Sequence, residues 1–299
     1  MNSTVRATVL VPTHDHGPTL MHSVGSALGQ TIEEIEVFIV GDGVPDSGRD
    51  VIADLCHRDK RIRFFDNPKG ARHGELHRHA ALTEARGRIV CYLSDDDLWL
   101  PKHVETMEEV LSDAEFASAL CAGIRPDQTF YSLLGDVGLP TFRDFMLAGS
   151  NFVPLSCGAH LLVTYRKLPF GWRTTPEDVA TDLYMWQQFL EQSAVRGRGA
   201  EEITVLHLAS ALRRGWTFDE RLAELERWSE RMTAPEFLAD LNRDAAEWFR
   251  REALKREVEL ARIRARLTSR IRSRLIGLPG VRRISKGVAI ARRASRTSP

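Results

Sequence analysis

The stretch RIVCYLSDDDLWLP, residues 88–101, decides the fold class, because a short apolar run ends there in three adjacent carboxylates. The run RIVCYL is apolar, β-branched and aromatic in character, which predicts a strand buried in a sheet. Adjacent carboxylates raise one another's pKa, so three in a row need a positive charge nearby. Two interpretations stay open: the run opens a helix that begins near Pro101, with its side chains capping N–H groups, or it holds a divalent cation.

The region before this stretch alternates β-rich runs with helical patterns. Three earlier runs have the character of strands, namely ATVLVP (7–12), EVFIVGD (36–42) and RIRFFD (61–66). Helical spacing of apolar residues falls between the runs, first at Leu20, Val24 and Leu28, then at 49–56 and 71–86. Alternation of this kind predicts βαβ units with right-handed crossovers, and hence an α/β fold with a Rossmann-like, mixed but mainly parallel sheet flanked by helices.

A polar cluster follows three of the four predicted strands. PTHDH comes after the first, GDG after the second and SDDD after the fourth. The carboxyl ends of parallel strands lie at one edge of a sheet, and ligands of open α/β sheets bind outside that edge. The sequence therefore predicts one ligand shared by the three clusters.

The chain changes character after residue 115. GAHLLVTYR (158–166) predicts another strand and TDLYMWQQFLEQ (181–192) an amphipathic helix, with the loop KLPFGWRTTPED (167–178) between them. From Asp219 to about Leu275 the pattern is almost wholly helical, with a break at Pro235.

Composition suits a globular protein of one large or two modest domains, since 43% of the 299 residues are hydrophobic. No run approaches the roughly 18 apolar residues of a membrane span, and the N-terminal sequence lacks a signal-peptide pattern. We therefore expect a cytoplasmic chain, with peripheral contact to the inner face of the membrane as an alternative. Four widely spaced cysteines argue against a zinc ribbon or a disulfide framework.

The zero net charge hides an asymmetry. Residues 250–299 carry 16 Lys/Arg and 3 acids, against 25 and 38 in residues 1–249. One hypothesis is a helix that packs on the body or on a second copy in a homodimer, through Leu254, Val258, Ala261, Leu267 and Ile271. The other is contact with an anionic membrane through Leu275, Ile276, Val281, Ile284, Val288 and the basic residues among them. Nucleic-acid binding fits less well, because no base-reading motif is visible.

Four motifs together carry a family resemblance. VLVPTHDHGPTLMHSVGSALGQT, VFIVGDG, ARHGELHRHAALTEARGRIVCYLSDDDLWLP and ATDLYMWQQFL resemble, in order and spacing, the family 2 nucleotide-sugar glycosyltransferases of the GT-A fold, a family that includes the spore-coat polysaccharide transferases of bacteria. The likeness covers about residues 5–215. It implies a glycosyltransferase domain at 1–215, with a nucleotide-binding half (1–120) and an acceptor half (121–215), followed by a helical extension (216–275) and a basic tail (276–299).

The resemblance implies a role for each matching residue. The nucleotide-binding positions are Pro12, Thr13, Asp42, Arg72 and Asp95, where Asp42 accepts from the base, Arg72 lies against it and Asp95 binds ribose. Asp96 corresponds to the carboxylate that ligates Mn²⁺ or Mg²⁺, His207 to a late histidine that completes the metal shell, and Asp182 to the catalytic base. The implied reaction is metal-dependent, inverting transfer from a nucleotide-diphospho-sugar, UDP- or dTDP-linked by preference, to a hydroxyl of a glycan, a lipid-linked glycan or a small molecule.

Departures from the family pattern leave alternatives open. Gly41 and Ser94 stand where acids are common, and Thr181 precedes Asp182 where Glu is frequent. Glu177 and Asp178 therefore compete as the base, and Asp182 could instead cap a helix. His73 and His77 have a spacing that permits zinc ligation, and His14 and His16 could face the nucleotide or solvent; Arg213 and Arg214 could reach the diphosphate or remain solvated.

Two other functions remain in view. A chain that lacks acids at positions 41 and 94 could be a nucleotide-binding scaffold that has lost turnover. A sugar-1-phosphate nucleotidyltransferase shares the predicted sheet and metal requirement, but it needs a glycine-rich loop where this chain has PTHDHGP. The sequence of the loops between 120 and 180 has no readable code for the sugar.

Overall fold

The computed structural model describes residues 5–133 and 135–277, which contain one mixed sheet of nine strands with helices around it. The strands are β1 Ala7–Thr13, β2 Ile35–Gly41, β3 Ile62–Phe65, β4 Ile89–Tyr92, β5 Leu98–Trp99, β6 Phe116–Ile124, β7 Phe130–Leu133, β8 Gly158–Leu161 and β9 Gly197–His207. The helices are α1 Leu20–Leu28, α2 Asp46–Arg58, α3 Glu75–Thr83, α4 His103–Val110, α5 Pro140–Leu147, α6 Leu162–Tyr165, α7 Thr181–Glu191, α8 Phe218–Arg231 and α9 Phe237–Gly277.

The strand order is β3-β2-β1-β4-β8-β6-β9-β5, with β7 paired to β6. The first four strands are parallel, as the alternating pattern predicts. In the second half β8 runs antiparallel to both β4 and β6, whereas β9 is parallel to β6. The predicted α/β class with a mixed sheet is confirmed, and its parallel part coincides with the half of the chain that carries the acidic clusters.

The core contains large aromatic side chains beneath the carboxyl edge of the sheet. Tyr92, Trp172 and Trp186 are almost fully buried, and the ring centroids of Tyr92 lie 5.5 Å from Trp172 and 5.4 Å from Trp186. The Tyr92 hydroxyl accepts from Trp172 Nε1 at 3.0 Å and pairs with His160 Nε2 at 2.7 Å. Buried aromatic groups with satisfied polar atoms fix one arrangement of the core, which supports the polar edge above it.

The prediction of a strand over 158–166 is wrong in its second half. β8 ends at Leu161 and α6 begins at Leu162. In the ladder Leu161 pairs with Ile89, the first residue of β4, so no partner strand continues beyond it. The backbone N–H of Leu162 instead donates to Arg88 O at 3.0 Å, and the chain turns into a helix.

The helical prediction for residues 219–275 agrees with α8 and α9, which are separated around Pro235. The chain divides into two compact units, one up to Ala245 and one from Ala246 onward. The first unit extends past residue 215 because Leu225 and Trp228 of α8 pack in a buried cluster with Leu98 and Leu206. Within the described residues no helix has the length and apolarity needed to cross a bilayer. The basic tail lies, from residue 278, outside the described residues.

Candidate active site

The three polar clusters predicted at strand ends meet at the carboxyl edge of the parallel strands. Thr13 is the last residue of β1, and its carbonyl accepts from the backbone N–H of Asp42, the residue after β2, at 2.9 Å. The acidic run follows β4 and is not a helix cap, because a two-residue strand, β5, comes next and the N-cap of α4 is Lys102. The geometry therefore disfavours the capping interpretation of the run.

The first cavity at this edge has a volume of about 310 Å³. It brings together all five predicted nucleotide contacts, Pro12, Thr13, Asp42, Arg72 and Asp95. Six cationic or potentially cationic side chains face three carboxylates there, because the lining also includes Asp15, His14, His16, Lys69, His73 and Arg78. Such a surface suits an anionic ligand.

Buried polar atoms without a partner belong to residues that line the first cavity. Among the described residues, Thr13 Oγ1, Arg72 Nε and Arg78 Nε are buried and have no hydrogen-bond partner. Buried polar groups in folded proteins are paired in the great majority of cases. Three orphaned atoms around one cavity therefore point to a polar ligand that completes them.

A second cavity, of about 360 Å³, adjoins the first. Its lining includes Asp96, Asp182 and His207, which are the predicted metal ligands and base. Ser94 and Leu155 line both cavities, so the acidic run stands between the two. The exposed Glu177 and Asp178, which compete with Asp182 in sequence, line neither.

Asp42 is buried and held by residues of the loop between β3 and α3. Its Oδ2 accepts from Lys69 Nζ at 2.5 Å and its Oδ1 from the Gly70 N–H at 2.6 Å. Gly74, at φ +67°, approaches so closely that a Cβ there would lie 2.6 Å from the Asp42 carboxyl carbon. Glycine at 74 is thus required both by the left-handed backbone and by the space that Asp42 occupies.

The absence of an acid at position 41 has a packing reason. A Cβ on Gly41 would lie 2.8 Å from Val44 Cγ2 and 2.9 Å from Phe64 Cε2. The side chain of an acid at position 41 would therefore collide with Val44 and Phe64 and would not reach the cavity. In this chain only the second residue of the GDG cluster can face a ligand.

Arg72 lies in the left-handed region at φ +55°, and its guanidinium reaches the loop that precedes α7. Its NH2 group donates to Pro176 O and Glu177 O, each at 3.4 Å. These long bonds are weak. Arg72 therefore links the first cavity to the loop that leads into Asp182.

The three acids of the run have separate partners. Asp95 Oδ1 pairs with His16 Nδ1 at 3.1 Å, and this hydrogen bond raises the pKa of His16 to about 9. Asp96 accepts from Ser94 Oγ at 2.6 Å and from the Ser210 hydroxyl. Charge is thus compensated at Asp95, whereas the partners of Asp96 are neutral hydroxyls.

Asp97 forms a buried ion pair with His207. Its oxygens lie 3.0 and 3.1 Å from His207 Nδ1, and it also accepts from Ser156 Oγ at 2.6 Å and the Leu208 N–H at 2.8 Å. Burial alone would raise the pKa of Asp97, but His207 and these donors outweigh it and lower the pKa. Burial opposes protonation of His207, yet Asp97 raises its pKa to about 9.

The donor set around Asp96 fits a hard divalent cation. Burial, and after it the charges of Asp97 and Asp95, raise the pKa of Asp96, so its carboxylate lacks a compensating positive charge. Within the described residues no three His, Cys, Asp or Glu side chains are grouped as a complete metal site. Mg²⁺ and similar ions commonly take one or two carboxylates and leave the other positions to phosphate oxygens and water. The residues present are therefore compatible with Mn²⁺ or Mg²⁺ brought by a phosphate ligand.

His207 stays a predicted metal ligand. Its Nδ1 is occupied by Asp97, while the ring lines the same cavity as Asp96. Histidine ligands usually give their other ring nitrogen to a carboxylate, so the Asp97 pair is the support that such a ligand needs. At the alternative zinc pair, His73 and His77, no third ligand completes a group within the part of the chain that the structure describes, and His77 Nε2 instead pairs with Pro68 O at 3.0 Å.

Asp182 is the second residue of α7 and not its N-cap, which is Ala180. Its Oδ1 accepts from the Leu183 N–H at 2.9 Å. Burial raises the pKa of Asp182, opposed by hydrogen bonds from Leu183 and Asn151. A carboxylate with a raised pKa beside an open cavity is suited to accept a proton.

Arg78 and Ser210 are site residues that the sequence interpretation missed. Arg78 is 7% exposed, lines the first cavity, stacks over the Trp172 ring at 4.8 Å and donates to His73 O at 3.0 Å. Its place in HRHAAL, inside a helical pattern, gives no local signal of a side chain that faces a ligand. Ser210 contacts Asp96 across 114 positions of sequence, and no local pattern predicts such a contact.

Comparisons with known proteins identify the family and the fold. The model of the family described as glycosyl transferase family 2 matches residues 8–157. An uncharacterised glycosyltransferase of Rickettsia bellii is 31% identical over 162 residues, which are 49% of this chain and 23% of the relative. The succinoglycan biosynthesis protein ExoW of Rhizobium meliloti is 26% identical over 182 residues, which cover 54% of this chain and 56% of ExoW. The chain thus spans less than two thirds of the length of these relatives.

Solved structures show the same fold. A fragment of S. aureus TarS, residues 1–349, in complex with UDP-GlcNAc matches 82% of this chain and 71% of its own with a TM-score of 0.51 and 15% identity. Because the family match covers half of the chain and the sheet is shared, the protein belongs to glycosyl transferase family 2 and has the GT-A fold.

Proposed function

We propose that the protein is a metal-dependent, inverting glycosyltransferase that moves a sugar from a nucleotide-diphospho-sugar to an acceptor hydroxyl. The observation that carries the proposal is the junction of two cavities at residues 94–97, one with the nucleotide positions and the other with Asp96 and Asp182. A bound donor would place its nucleotide in the first cavity and its sugar at the junction. The reacting carbon would then face the second cavity.

The first cavity supplies groups for each part of a nucleoside diphosphate. Asp42 and Arg72 are proposed to contact the base, with Pro12 and Thr13 beneath it, and Asp95 to contact the ribose. Arg78 and the protonated His16 add positive charge toward the phosphates. A UDP- or dTDP-sugar is the favoured donor, and the UDP-GlcNAc complex of TarS on the same fold supports UDP.

Asp96 would hold Mn²⁺ or Mg²⁺, with His207 as the second protein ligand. A cation there supplies positive charge against the diphosphate as it leaves. Ser94 and Ser210 orient the Asp96 carboxylate by their hydroxyls. The Asp97 pair orients His207 and keeps the third acid out of the ligand set.

Asp182 is the proposed base. An acceptor hydroxyl is a poor nucleophile at neutral pH, so a carboxylate on the opposite side of the sugar from the leaving group must take its proton during attack. The raised pKa of Asp182 makes that transfer more favourable. Direct attack from this side is a single displacement, and it inverts the anomeric centre.

The acceptor is proposed to be a hydroxyl of a growing glycan or a lipid-linked glycan. The name of ExoW, a succinoglycan biosynthesis protein, supports a polysaccharide product. A small-molecule acceptor is the alternative. Cavity residues from the loop 148–154 and from 209–211 surround the space that an acceptor would enter.

Product stereochemistry tests the proposal. The purified protein is incubated with UDP-sugars, Mn²⁺ and a panel of glycan acceptors, and NMR of the product reads the anomeric configuration. We expect inversion, and loss of transfer in Asp182→Asn. Retention of configuration would refute the displacement, and full transfer by Asp182→Asn would move the base to another residue.

Two other functions would give different results. A scaffold that has lost turnover would bind nucleotide without transfer or hydrolysis across the whole panel. A sugar-1-phosphate nucleotidyltransferase would release pyrophosphate from a nucleoside triphosphate. The loop after β1, which has no glycine-rich run, argues against the latter.

A further inference from the structure

The second compact unit presents apolar side chains to solvent. Leu254, Val258, Leu260, Ile263 and Leu267 of α9 are each between 44% and 54% exposed. Soluble helices that expose aliphatic side chains in series usually have a surface to bury them on. The arrangement of these side chains and of the charges near them indicates which kind of surface the helix contacts.

These side chains form two separate stripes. At about 100° of rotation per residue, Leu260, Ile263 and Leu267 fall within roughly 60° of one another. Leu254 and Val258 lie on another part of the helix, about 120° or more away from Leu260.

Charge separates the two stripes further. Along the sequence, Glu252, Glu257 and Glu259 all precede Leu260, whereas residues 260–299 contain 12 Lys/Arg and no acid. At about 100° of rotation per residue, Arg264 and Arg266 lie on the two sides of the Leu260 stripe. The apolar stripe that begins at Leu260 therefore lies in a purely basic segment.

We propose that residues 260–269 bind the surface of an anionic membrane, with the Leu260, Ile263 and Leu267 stripe inserted among the lipids and the arginines on the headgroups. A basic amphipathic helix with aliphatic residues on one side lies in the plane of such an interface. Basic residues next to it attract anionic lipids. The proposed contact is with the surface of the membrane.

Charge and composition disfavour two other binding partners, a second copy of the chain and single-stranded nucleic acid. A second copy paired along the same stripe would place arginines against arginines, and the segment has no acid to balance them. Single-stranded nucleic acid is held largely by aromatic stacking, and residues 250–299 contain no aromatic side chain. An anionic lipid surface matches both the arginines and the aliphatic stripe.

Vesicle flotation of the full chain tests the proposal. The vesicles are phosphatidylcholine alone and phosphatidylcholine with about a quarter phosphatidylglycerol. We expect the wild type to float with the anionic vesicles at least about ten-fold more than with the neutral ones, and to be released by salt, because added salt screens the charges.

Leu267→Asp and Leu254→Asp form a matched pair, since both leucines are about equally exposed on the same helix, at 52% and 54%, and lie on different stripes. Leu267→Asp is expected to lower the floated fraction about ten-fold, and Leu254→Asp to leave it within about two-fold. Circular dichroism melting of both variants controls for folding.

Several outcomes would overturn the proposal. Flotation with neutral vesicles as strong as with anionic ones, no flotation at all, or equal loss in both variants would each do so. A wild-type dimer that becomes a monomer in Leu267→Asp, measured by light scattering without vesicles, would assign the stripe to a second copy. If the chain does not float with vesicles but binds a DNA duplex, and Leu267→Asp leaves that binding unchanged, the basic residues would be assigned to nucleic acid.

Discussion

Arg78 illustrates how a single residue is prepared for a ligand. The guanidinium is buried, stacked on Trp172 and tied to His73 O, and its Nε has no partner among the described residues. Burial lowers the pKa of Arg78, and the nearby acids Glu75 and Asp182 oppose this effect. A buried cation held in one orientation is costly without a ligand and effective with one.

Arg78→Lys tests this role. Lysine keeps the charge but loses the planar fork and the stacking on Trp172, so donor binding is expected to weaken by about ten-fold or more. Calorimetric titration with UDP measures the change. Arg88→Lys, at an exposed arginine outside both cavities, is the matched control and is expected to bind as the wild type does. Equal affinity in Arg78→Lys would contradict the assignment.

Asp182→Asn separates binding from chemistry. The amide keeps the shape of the carboxylate but cannot accept the acceptor's proton, so kcat is expected to fall by about 10²-fold or more with little change in donor affinity. Initial rates at saturating donor and calorimetry on the same preparation measure the two quantities. Loss of nucleotide binding in parallel with kcat would show that Asp182 is structural.

At the scale of elements, the segment after β9 is held by a buried ion pair. Arg213 and Glu224, 3% and 0% exposed at the side chain, join the turn 210–213 to α8, and Arg213 NH2 also donates to Ile124 O at 3.1 Å. Gln128 Nε2 donates to Glu224 at 3.2 Å. The anchored turn carries Ser210, which contacts Asp96. Packing of α8 thereby sets the position of a residue in the second cavity.

Glu224→Ala tests the anchor. Removing one partner of a buried ion pair leaves the other charge unpaired, and the cost is roughly 3–5 kcal/mol of unfolding free energy. Urea denaturation measures the loss. The double variant Arg213→Met, Glu224→Leu is the control, since replacing both charges by apolar groups is expected to restore most of the stability. If the double variant were as unstable as Glu224→Ala, a cause other than an unpaired charge would be indicated.

The sequence predicts the elements that carry local signals. The first four strands and the acids at their tips follow from alternating patterns and from the position of DDD after RIVCYL. The end of β8 at Leu161 is not predictable in this way, because it depends on where β4 begins in the neighbouring strand. The sequence also leaves open whether the acidic run caps a helix, because the strand β5 that follows the run is only two residues long and has no clear pattern.

Long-range contacts explain what the sequence misses at the site. Ser210 and His207 reach the acidic run across more than a hundred positions, and the pairing of Asp97 with His207 depends on the register of β5 beside β9, in which Leu98 pairs with Leu206. A family pattern suggested His207 but not its carboxylate partner. Sequence spacing identifies the acids; only the fold assigns a partner to each.

At the scale of the whole molecule, buried histidines couple stability to pH. Burial lowers the pKa of His103 and His160 to about 3 from 6.5. Between these values the unfolded chain binds more protons than the folded one, so acidification destabilises the fold. The unfolding free energy is expected to fall by up to about 1.4 kcal/mol per pH unit per histidine below pH 6.5.

His103→Gln tests the acid limb. Removing one of the two buried histidines should reduce the slope of unfolding free energy against pH between 6.5 and about 4, whatever its effect on stability at neutral pH. Urea unfolding across this range measures the slope. An unchanged slope would show that His103 does not carry the proton linkage.

At alkaline pH the stability depends on two histidines whose pKa values are raised, not lowered. The pKa values of His16 and His207 are raised to about 9, so their ion pairs with Asp95 and Asp97 contribute fully below pH 6.5 and are lost as the pH rises toward 9. Stability is expected to decline in that window also. Thermal melts from pH 6.5 to 9.5 check it, and a flat profile would contradict the ion pairs.

The most direct test of the account is calorimetric titration of UDP, dTDP and GDP into the full chain with Mn²⁺ and then with EDTA. We expect UDP or dTDP to bind in the presence of Mn²⁺, EDTA to remove the binding, and Asp96→Ala to remove it in the same way. Binding that is unaffected by EDTA and by Asp96→Ala would contradict a diphosphate site at the acidic run. No binding of any nucleotide would contradict the donor site altogether.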